Sequence, residues 1–384
     1  MIPHPNLVAG VLEVLERTFG QRLYADRVVD QVLRANKRWG ARDRAFVAEH
    51  SYEIVRWWSL LWHLHGGEPA IKRKPLKDLF DTYWTWRSDG MPVPNDLDVA
   101  VAQSYAPWFA ARAAAELGSD WPVLAAALNR PAHVILRANT LKASREAVLE
   151  RLTAEGIDAA LSDVAPNALV LAKRPRLQHL ESFKDGWYEV HDGGSQRIAA
   201  YLDPQPGDRI LDGCSGAAGK ALDAAALARN QAEILCMDVE SYKLGEAEKR
   251  AVRAGVQGLR TEWIRSPRDV QRHAGWANKM LLDVPCSGTG VIRRDVDTKW
   301  KLQPDHLERT LETQYGILRD YSEALKPGGT LVYATCSILR SENEDQVRRF
   351  LDEQDGAYTL REEVRITPEH PHSDGYYVAV LQKH

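Results

Sequence analysis

The chain has 384 residues, a formal net charge of −3 and a hydrophobic content of 44%, so it accommodates two or three globular domains with separate cores. No apolar run approaches the ~20 residues that a membrane span needs, and the first residues, Met1-Ile2-Pro3-His4-Pro5-Asn6, do not resemble a signal peptide. We therefore expect a cytoplasmic protein without membrane contact, and the slightly acidic balance means that any contact with RNA must be local.

The four cysteines are too few and too scattered to form a disulfide framework in a chain of this length. They are Cys214, Cys236, Cys286 and Cys336. Free thiols are therefore expected. The sequence has no Cys-x-x-Cys or His-x-x-x-His pair, so it predicts no metal site.

Residues 1–128 are predicted to form an α-helical domain, because apolar residues such as Val28, Val29 and Val32 recur at helical spacing. Eight of the twelve tryptophans lie in this region, where filling gaps between helices is favoured over an aromatic platform for bases. The basic stretch Lys72-Arg73-Lys74-Pro75-Leu76-Lys77 could neutralise phosphates, but a solvated loop is favoured for so short a cluster.

Residues 129–190 are predicted to form a small α/β module, with strands near 133–137 and 168–171 and a helix over 145–155. Residues 191–384 then alternate apolar runs with helical stretches, which is typical of a doubly wound parallel sheet. Its strands are predicted at 209–212, 233–237, 261–264, 279–282 and 330–334.

The first turn of this sheet carries small residues that allow backbone amides to approach a ligand, followed by a helix whose amino terminus favours an anion. It reads Asp212-Gly213-Cys214-Ser215-Gly216-Ala217-Ala218-Gly219-Lys220. This pattern fits neither a dinucleotide fingerprint nor a phosphate loop. Asp238, at the end of the second strand, is either a helix cap or a ligand for ribose hydroxyls. Together, the turn and Asp238 favour a cofactor that contains a nucleoside.

Two apolar runs each lead to a cysteine: Asp283-Val284-Pro285-Cys286 in one segment and Ala334-Thr335-Cys336 in the other. A helix over 305–325 predicts a right-handed crossover between two neighbouring parallel strands, so both thiols are expected to face one crevice. A lone cysteine at a strand end is usually inert. Two of them in these contexts favour catalysis.

The chain resembles the RNA cytosine-5 methyltransferases of the Nop/Sun family, specifically the RsmB-like bacterial rRNA branch with an amino-terminal domain similar to NusB. The resemblance rests on Asp283-Val284-Pro285-Cys286-Ser287-Gly288-Thr289-Gly290 and on Tyr333-Ala334-Thr335-Cys336-Ser337 with Glu342-Asn343-Glu344. Arg137-Ala138-Asn139-Thr140, His191-Asp192-Gly193-Gly194-Ser195-Gln196 and the ending Asp374-Gly375-Tyr376-Tyr377 extend it. Gly40-Ala41-Arg42-Asp43-Arg44 resembles the helical domain, so the resemblance spans nearly the whole chain.

The resemblance implies a Rossmann-like methyltransferase domain over 191–384, a small α/β module over 129–190 and a NusB-like helical domain over 1–128, the last two serving RNA binding. It implies S-adenosylmethionine as cofactor and RNA, specifically rRNA, as substrate, for a monomeric enzyme. Cys336 would be the nucleophile that attacks cytosine C6, Asp283 would contact the base, and Cys286 would assist product release. The cofactor would be held by Cys214, Ser215, Gly216, Ala217, Ala218, Gly219, Lys220, Asp238 and Asp283.

Two features depart from the family pattern. The usual first turn is Asp-x-Cys-Ala-Ala-Pro-Gly-Gly-Lys-Thr, and five of its places differ here; an acid that usually follows the third strand is missing from Ile264-Arg265-Ser266-Pro267. These departures leave open a relative that binds RNA as an assembly factor without transferring a methyl group. A methyltransferase acting on a protein or small molecule is a third hypothesis, but it gives the small module and the two cysteines no use.

Overall fold

The computed structural model describes residues 3–384, which form two compact units. One contains the chain up to residue 129 together with residues 292–304, and the other contains residues 130–291 and 305–384. The first is helical. Its helices are α1 (Pro5–Leu15), α2 (Ala25–Ala35), α3 (Ala41–Arg56), α4 (Trp58–His65), α5 (Arg73–Asp89), α6 (Val99–Ala102), α7 (Pro107–Leu117) and α8 (Trp121–Ala127), with a π-helical turn at Glu16–Gly20.

The core of the helical unit is rich in aromatic and branched side chains. Trp58 and Trp62 are buried, and the ring of Phe19 stacks on Trp58 with centroids 3.8 Å apart. These tryptophans fill gaps between helices, as expected. The basic stretch is not a loop, which corrects the sequence-based preference: it begins α5, where Lys74 pairs with Asp78 one turn later.

Residues 292–304 pack with the helical unit although the flanking chain belongs to the other unit. They contain the helix α15 (Thr298–Lys301), whose Lys299 is only 1% exposed. The ammonium of Lys299 donates to the carbonyl of Arg56 at 3.1 Å and to Asn129 Oδ1 at 2.5 Å, and burial holds its pKa well below the usual range. The predicted domain boundaries 1–128, 129–190 and 191–384 stay a prediction. They did not include the packing of residues 292–304 with the helical unit.

The second unit begins with a small four-stranded antiparallel sheet, in the order β2-β3-β1-β4. Its strands are β1 (Val134–Ala138), β2 (Ala159–Leu161), β3 (Ala168–Leu171) and β4 (Tyr188–Val190), accompanied by α9 (Arg145–Ala154) and α10 (Glu181–Lys184). The side chains of Leu136 and Leu169 in this sheet pack in one core cluster with Leu152 of α9.

The larger sheet has seven strands in the order β10-β11-β9-β8-β5-β6-β7. They are β5 (Arg209–Asp212), β6 (Glu233–Asp238), β7 (Leu259–Trp263), β8 (Ala277–Asp283), β9 (Leu325–Thr335), β10 (Tyr358–Ile366) and β11 (Tyr376–Lys383). The accompanying helices are α11 (Gly193–Ile198), α12 (Gly219–Leu227), α13 (Ser241–Ala254), α14 (Pro267–Gln271), α16 (Pro304–Tyr321) and α17 (Glu344–Glu353).

Strands β5 to β9 are parallel, and β11 pairs antiparallel with both β9 and β10. The chain runs outwards from β5 through β6 to β7, then resumes at β8 on the other side of β5. The strand order therefore reverses between β5 and β8, and open sheets of this type bind ligands at the carboxyl ends of the strands at such a point. Among the described residues, no helix is long and apolar enough to cross a membrane.

A buried ion pair joins the small sheet to the larger one. Arg137 on β1 is 2% exposed and its guanidinium donates to Asp223 of α12 at 2.9 Å. Burial raises the pKa of Asp223, and the charge of Arg137 offsets this only in part. The small sheet is thus fixed to the helix that follows the first turn of the larger sheet.

We expect Asp223→Ala to lower the free energy of unfolding by about 3–5 kcal/mol, because it leaves the Arg137 charge buried without its partner. Urea denaturation of the full chain measures this. The double variant Arg137→Met/Asp223→Leu should recover most of the loss, since apolar side chains of similar volume often replace a buried pair without cost. If Asp223→Ala were as stable as the parent protein, the ion pair would not have this stabilising role.

Candidate active site

The two predicted strand-end thiols lie together. Asp283 ends β8 and Thr335 ends β9, and the two strands pair in parallel with Asp283 opposite Ala334. Cys286 and Cys336 follow these ends, and their sulfur atoms are 3.1 Å apart. The hydrogen bond with Cys336, together with burial, raises the pKa of the Cys286 thiol well above its ordinary value. The raised pKa favours the protonated form of Cys286.

The carboxylate of Glu342 connects the two segments that carry Cys286 and Cys336. It is fully buried and accepts four hydrogen bonds: from the Ser287 amide at 2.7 Å, the Ser287 hydroxyl at 2.5 Å, the Ser337 hydroxyl at 2.5 Å and the Gln314 amide at 3.0 Å. Ser287 follows Cys286, and Ser337 follows Cys336. One buried charge thus fixes the residue after each thiol, and it also ties both segments to α16.

Lys220, in the first turn of α12, reaches across to the carboxylate of Asp283 and donates a hydrogen bond to it. Burial lowers the pKa of Lys220, but the charge and hydrogen bond of Asp283 outweigh this, so the net direction is upwards. The Lys220 ammonium also interacts electrostatically with the Cys336 sulfur. It therefore links the glycine-bearing turn to the cysteine crevice.

The first turn spans the end of β5 and the start of α12. Gly216 has φ +51° and Ala218 has φ +62°. By the family pattern, glycine would stand at the place of Ala218 and alanine at that of Gly216. Ala218 is therefore an L-residue held in the left-handed region, which costs of the order of 1 kcal/mol. The altered sequence keeps a tight turn but carries strain in it.

Asp238 braces this turn. Its carboxylate accepts from the Gly216 amide at 2.8 Å and from the Glu240 amide at 2.8 Å, and the side chain is largely buried at the end of β6. Each carboxylate oxygen has a second lone pair, so both remain able to accept from a ligand hydroxyl. Sequence reasoning left a helix cap or a ligand as alternatives. Asp238 bonds the amide of Glu240, the residue before α13, without being the N-cap itself, and the ligand role stays a prediction.

The crevice fits a cofactor that brings a cation and hydroxyl groups. Asp212, at the end of β5, is buried and its Oδ1 has no hydrogen-bond partner; Ser215 Oγ has none either. Burial, reinforced by the charge of Asp283, raises the pKa of Asp212 to about 7. Buried polar atoms normally have partners, so these two are ready to receive one. The methionine ammonium and the ribose of S-adenosylmethionine supply such groups.

The loop after the third strand contains no acid, and the next acid along the chain is Asp269 of α14. Asp269 of α14 turns back towards the end of β7 and accepts from the amides of Arg265 and Ser266, both at 2.9 Å. It is 3% exposed and pairs with Arg272. The acid next to this loop thus caps a helix.

Sequence reasoning brought together Cys286, Cys336, Asp283 and Lys220, and the structure places all four in one crevice. It missed the part played by Glu342, Ser287, Ser337 and Gln314. The only signal was the acid six residues after Cys336, which was noted within a motif but given no role.

Comparisons with known proteins identify the family of the chain. Residues 199–382 match the family model described as 16S rRNA methyltransferase RsmB/F, and residues 105–178 match the ferredoxin-like domain of RsmF/B-like methyltransferases. Ribosomal RNA small subunit methyltransferase B of Pectobacterium carotovorum is 32% identical over 83% of this chain and 76% of its own length. The chain belongs to the RsmB/F methyltransferase family.

A second RsmB relative, from Vibrio vulnificus, is 34% identical over 69% of this chain and 63% of its own length, so the matched part is less than two thirds of that protein. Among solved structures, PH0851 has a TM-score of 0.80 at 21% identity, covering all of both chains. A methyltransferase homologue from Pyrococcus horikoshii has a TM-score of 0.66 at 26% identity, covering 76% of this chain and 99% of its own.

These findings confirm the predicted family and fold class: a Rossmann-like methyltransferase sheet, preceded by a small α/β module and a helical region. Membership of the RsmB/F family also confirms S-adenosylmethionine as the cofactor. The similarity of the helical region to NusB stays a prediction.

We expect Glu342→Gln to lower the free energy of unfolding by about 1.5–3 kcal/mol, because an amide cannot accept all four hydrogen bonds that the carboxylate accepts. Methyl transfer should fall as well, since the segments that carry both thiols lose their common anchor. Urea denaturation and a methylation assay measure the two effects. Glu362→Gln on the exposed face of β10 is the matched control. Equal behaviour of the two variants would remove Glu342 from this role.

Proposed function

We propose that the protein transfers a methyl group from S-adenosylmethionine to C5 of a cytosine in RNA, with ribosomal RNA as the substrate class. The observation that carries this proposal is the meeting of two thiols with Asp283 and Lys220 at the carboxyl ends of neighbouring parallel strands. The names of the relatives, ribosomal RNA small subunit methyltransferase B, support the choice of RNA.

Cys336 is the proposed nucleophile. Its sulfur lies 3.1 Å from the Cys286 sulfur and interacts electrostatically with the Lys220 ammonium. A neighbouring cation stabilises a thiolate nucleophile. The thiolate adds to C6 of cytosine, which raises the electron density at C5. The bound cofactor supplies an electrophilic methyl group to C5. A water molecule then takes the C5 proton, the C5–H electron pair re-forms the C5–C6 double bond, and the C6–S bond breaks to release the Cys336 thiolate.

Cys286 is proposed to assist this last step. Its thiol stays protonated 3.1 Å from the Cys336 sulfur, so it can return a hydrogen bond to that sulfur as the bond to C6 breaks. Asp283 is proposed to accept a hydrogen bond from the cytosine amino group, or from N3 once it is protonated, and Lys220 holds Asp283 in place. The target base must leave any stack before C6 can be reached.

The first turn and the strand end beside it are the proposed cofactor site. The backbone from Cys214 to Gly219, which includes Ser215, Gly216, Ala217 and Ala218, would surround the amino-acid end together with Lys220 and Asp283. Asp238 would receive the ribose hydroxyls. The helical region and the small module are proposed to bind RNA, since neither carries a comparable turn.

A non-catalytic relative that binds RNA as an assembly factor is the alternative. The strained alanine in the first turn and the lack of an acid in the loop after β7 favour it. The retained thiol pair and the Lys220–Asp283 contact argue against it, because a protein without methyl transfer has no need for them. Binding of S-adenosylmethionine by calorimetry distinguishes the two.

We expect Asp238→Ala to weaken binding of S-adenosylmethionine by about 10- to 100-fold, equivalent to about 1.5–3 kcal/mol for the loss of a charge-assisted contact to the ribose. Part of the lost affinity reflects a less ordered first turn, since Asp238 also accepts a hydrogen bond from the Gly216 amide. Isothermal titration calorimetry measures the affinity. Glu240→Ala, a partly exposed acid two residues away, is the control. Unchanged affinity in Asp238→Ala would take this residue out of the site.

The two cysteine variants are expected to differ. Cys336→Ala should abolish methylation and any covalent product with RNA, because no other group is proposed to attack C6. The Cys286→Ala variant should still attack cytosine C6 and methylate the RNA, but it should release the product slowly. A protein–RNA adduct should therefore accumulate and be visible on denaturing gels. An adduct with Cys336→Ala and none with Cys286→Ala would mean that the roles are exchanged.

A further inference from the structure

Three metal-binding side chains meet away from the cysteine crevice, at the connection between β10 and β11. His370 and His372 belong to this connection, and Asp163 belongs to the turn between β2 and β3 of the small sheet. One donor atom from each residue lies within 4.8 Å of the other two. All three residues belong to the same compact unit. The sequence predicted no metal site, because the two histidines form a His-x-His pair rather than a common zinc spacing, and Asp163 lies 207 residues before His370.

The side chains are already oriented by their neighbours. His370 Nε2 lies 3.1 Å from Asp163 Oδ1, and His372 Nδ1 lies 2.8 Å from Ser162 Oγ. A ligating histidine normally bonds through one ring nitrogen to an outer partner and through the other to the metal. With Ser162 on Nδ1, the Nε2 of His372 is the nitrogen that a metal would use. The His370 and His133 rings pack against His372 at centroid distances of 5.4 and 5.2 Å.

We propose that Asp163, His370 and His372 form a binding site for a divalent transition-metal ion, with Zn²⁺ as the expected occupant. Two imidazoles and one carboxylate suit Zn²⁺ and its neighbours in the first transition row, and solvent completes the coordination. Bonds of about 2.0–2.2 Å require the donors to approach one another. Asp163 is 91% exposed, so its side chain can move inwards.

Metal binding changes the hydrogen bonds of both ring nitrogens of His370. The Nδ1 of His370 accepts a hydrogen bond from the amide of His372 at 3.1 Å, so its Nε2 carries the proton that faces Asp163. A metal on Nε2 moves that proton to Nδ1, and the contact to the His372 amide is given up. No proton leaves the site, because the imidazole stays neutral.

The site is joined to the catalytic crevice through the chain that follows it. The amide of Asp374 donates to the carboxylate of Asp192 at 3.2 Å, and the amide of Gly375 donates to the carbonyl of Gly290 at 2.9 Å. The amide of Gly290 in turn donates to the carbonyl of Cys336 at 2.8 Å. A metal that ties residues 370 and 372 to the small sheet would therefore stabilise the segment against which the cysteine loops rest.

The test is a titration of the intact, chelator-treated protein with Co²⁺, a spectroscopic substitute for Zn²⁺. We expect one equivalent to bind with visible ligand-field bands and without a thiolate-to-cobalt charge-transfer band. Zn²⁺ should displace Co²⁺ and raise Tm. His372→Ala should weaken the affinity at least about tenfold and remove the rise in Tm, whereas His179→Ala, an exposed histidine of the small module, should change neither.

Two results would overturn the proposal. One is the absence of cobalt bands with no effect of Zn²⁺ on Tm. The other is a strong charge-transfer band that disappears in Cys286→Ser, which would place the metal on the thiol pair. If His372→Ala reduces stability without metal, Asp163→Asn provides the same comparison from an exposed residue whose loss leaves the packing intact.

Discussion

The buried carboxylate of Glu342 is the contact on which the arrangement of the two thiols depends. Parallel strands deliver Cys286 and Cys336 to one edge of the sheet, but both cysteines lie beyond the last paired residue, where the sheet no longer fixes them. The four hydrogen bonds to the Glu342 carboxylate hold the two cysteine segments in place instead. A buried carboxylate is costly unless it is fully hydrogen-bonded, so a partial rearrangement of either segment is disfavoured. The two sulfur atoms can therefore stay close without a covalent bond.

The second constraint is the link between this crevice and the first turn. Lys220 donates to Asp283, and Asp238 holds the amide of Gly216, so the end of each of three strands, β5, β6 and β8, is connected to the same short segment. The left-handed alanine at position 218 shows that this geometry is kept even at an energetic cost. Strain of this kind persists where the surrounding structure determines the backbone, as these contacts do here.

Much of the sheet could be predicted because its strands are short apolar runs. Residues 209–212 and 168–171 were predicted with the observed bounds, and the common crevice of Cys286 and Cys336 followed from the crossover helix. Strand β9 was predicted at 330–334 but begins at Leu325, because the lysine, proline and glycines before it do not resemble a strand. Strand β10 was not predicted: it is an exposed edge strand, and its charged side chains hide the pattern.

The rest depends on contacts between distant residues. Nothing local shows that Lys299 is buried among carbonyl groups of the helical unit, or that Glu342 accepts from Ser287, 55 residues earlier. The spacing of residues along the sequence likewise does not indicate the cluster of Asp163 with His370 and His372. Such sites form only when the fold brings the residues together, so their sequence signals are single polar residues without a periodic pattern.

The central claim, that Cys336 bonds to the base while Cys286 stays a thiol, is tested most directly on the unmodified protein. RNA containing 5-fluorocytosine would trap the adduct, because the fluorine on C5 cannot leave as a proton does. After digestion, mass spectrometry should find the nucleotide on the peptide that contains Cys336, with Cys286 open to alkylation. The nucleotide on the Cys286 peptide, with Cys336 alkylated, would contradict the account.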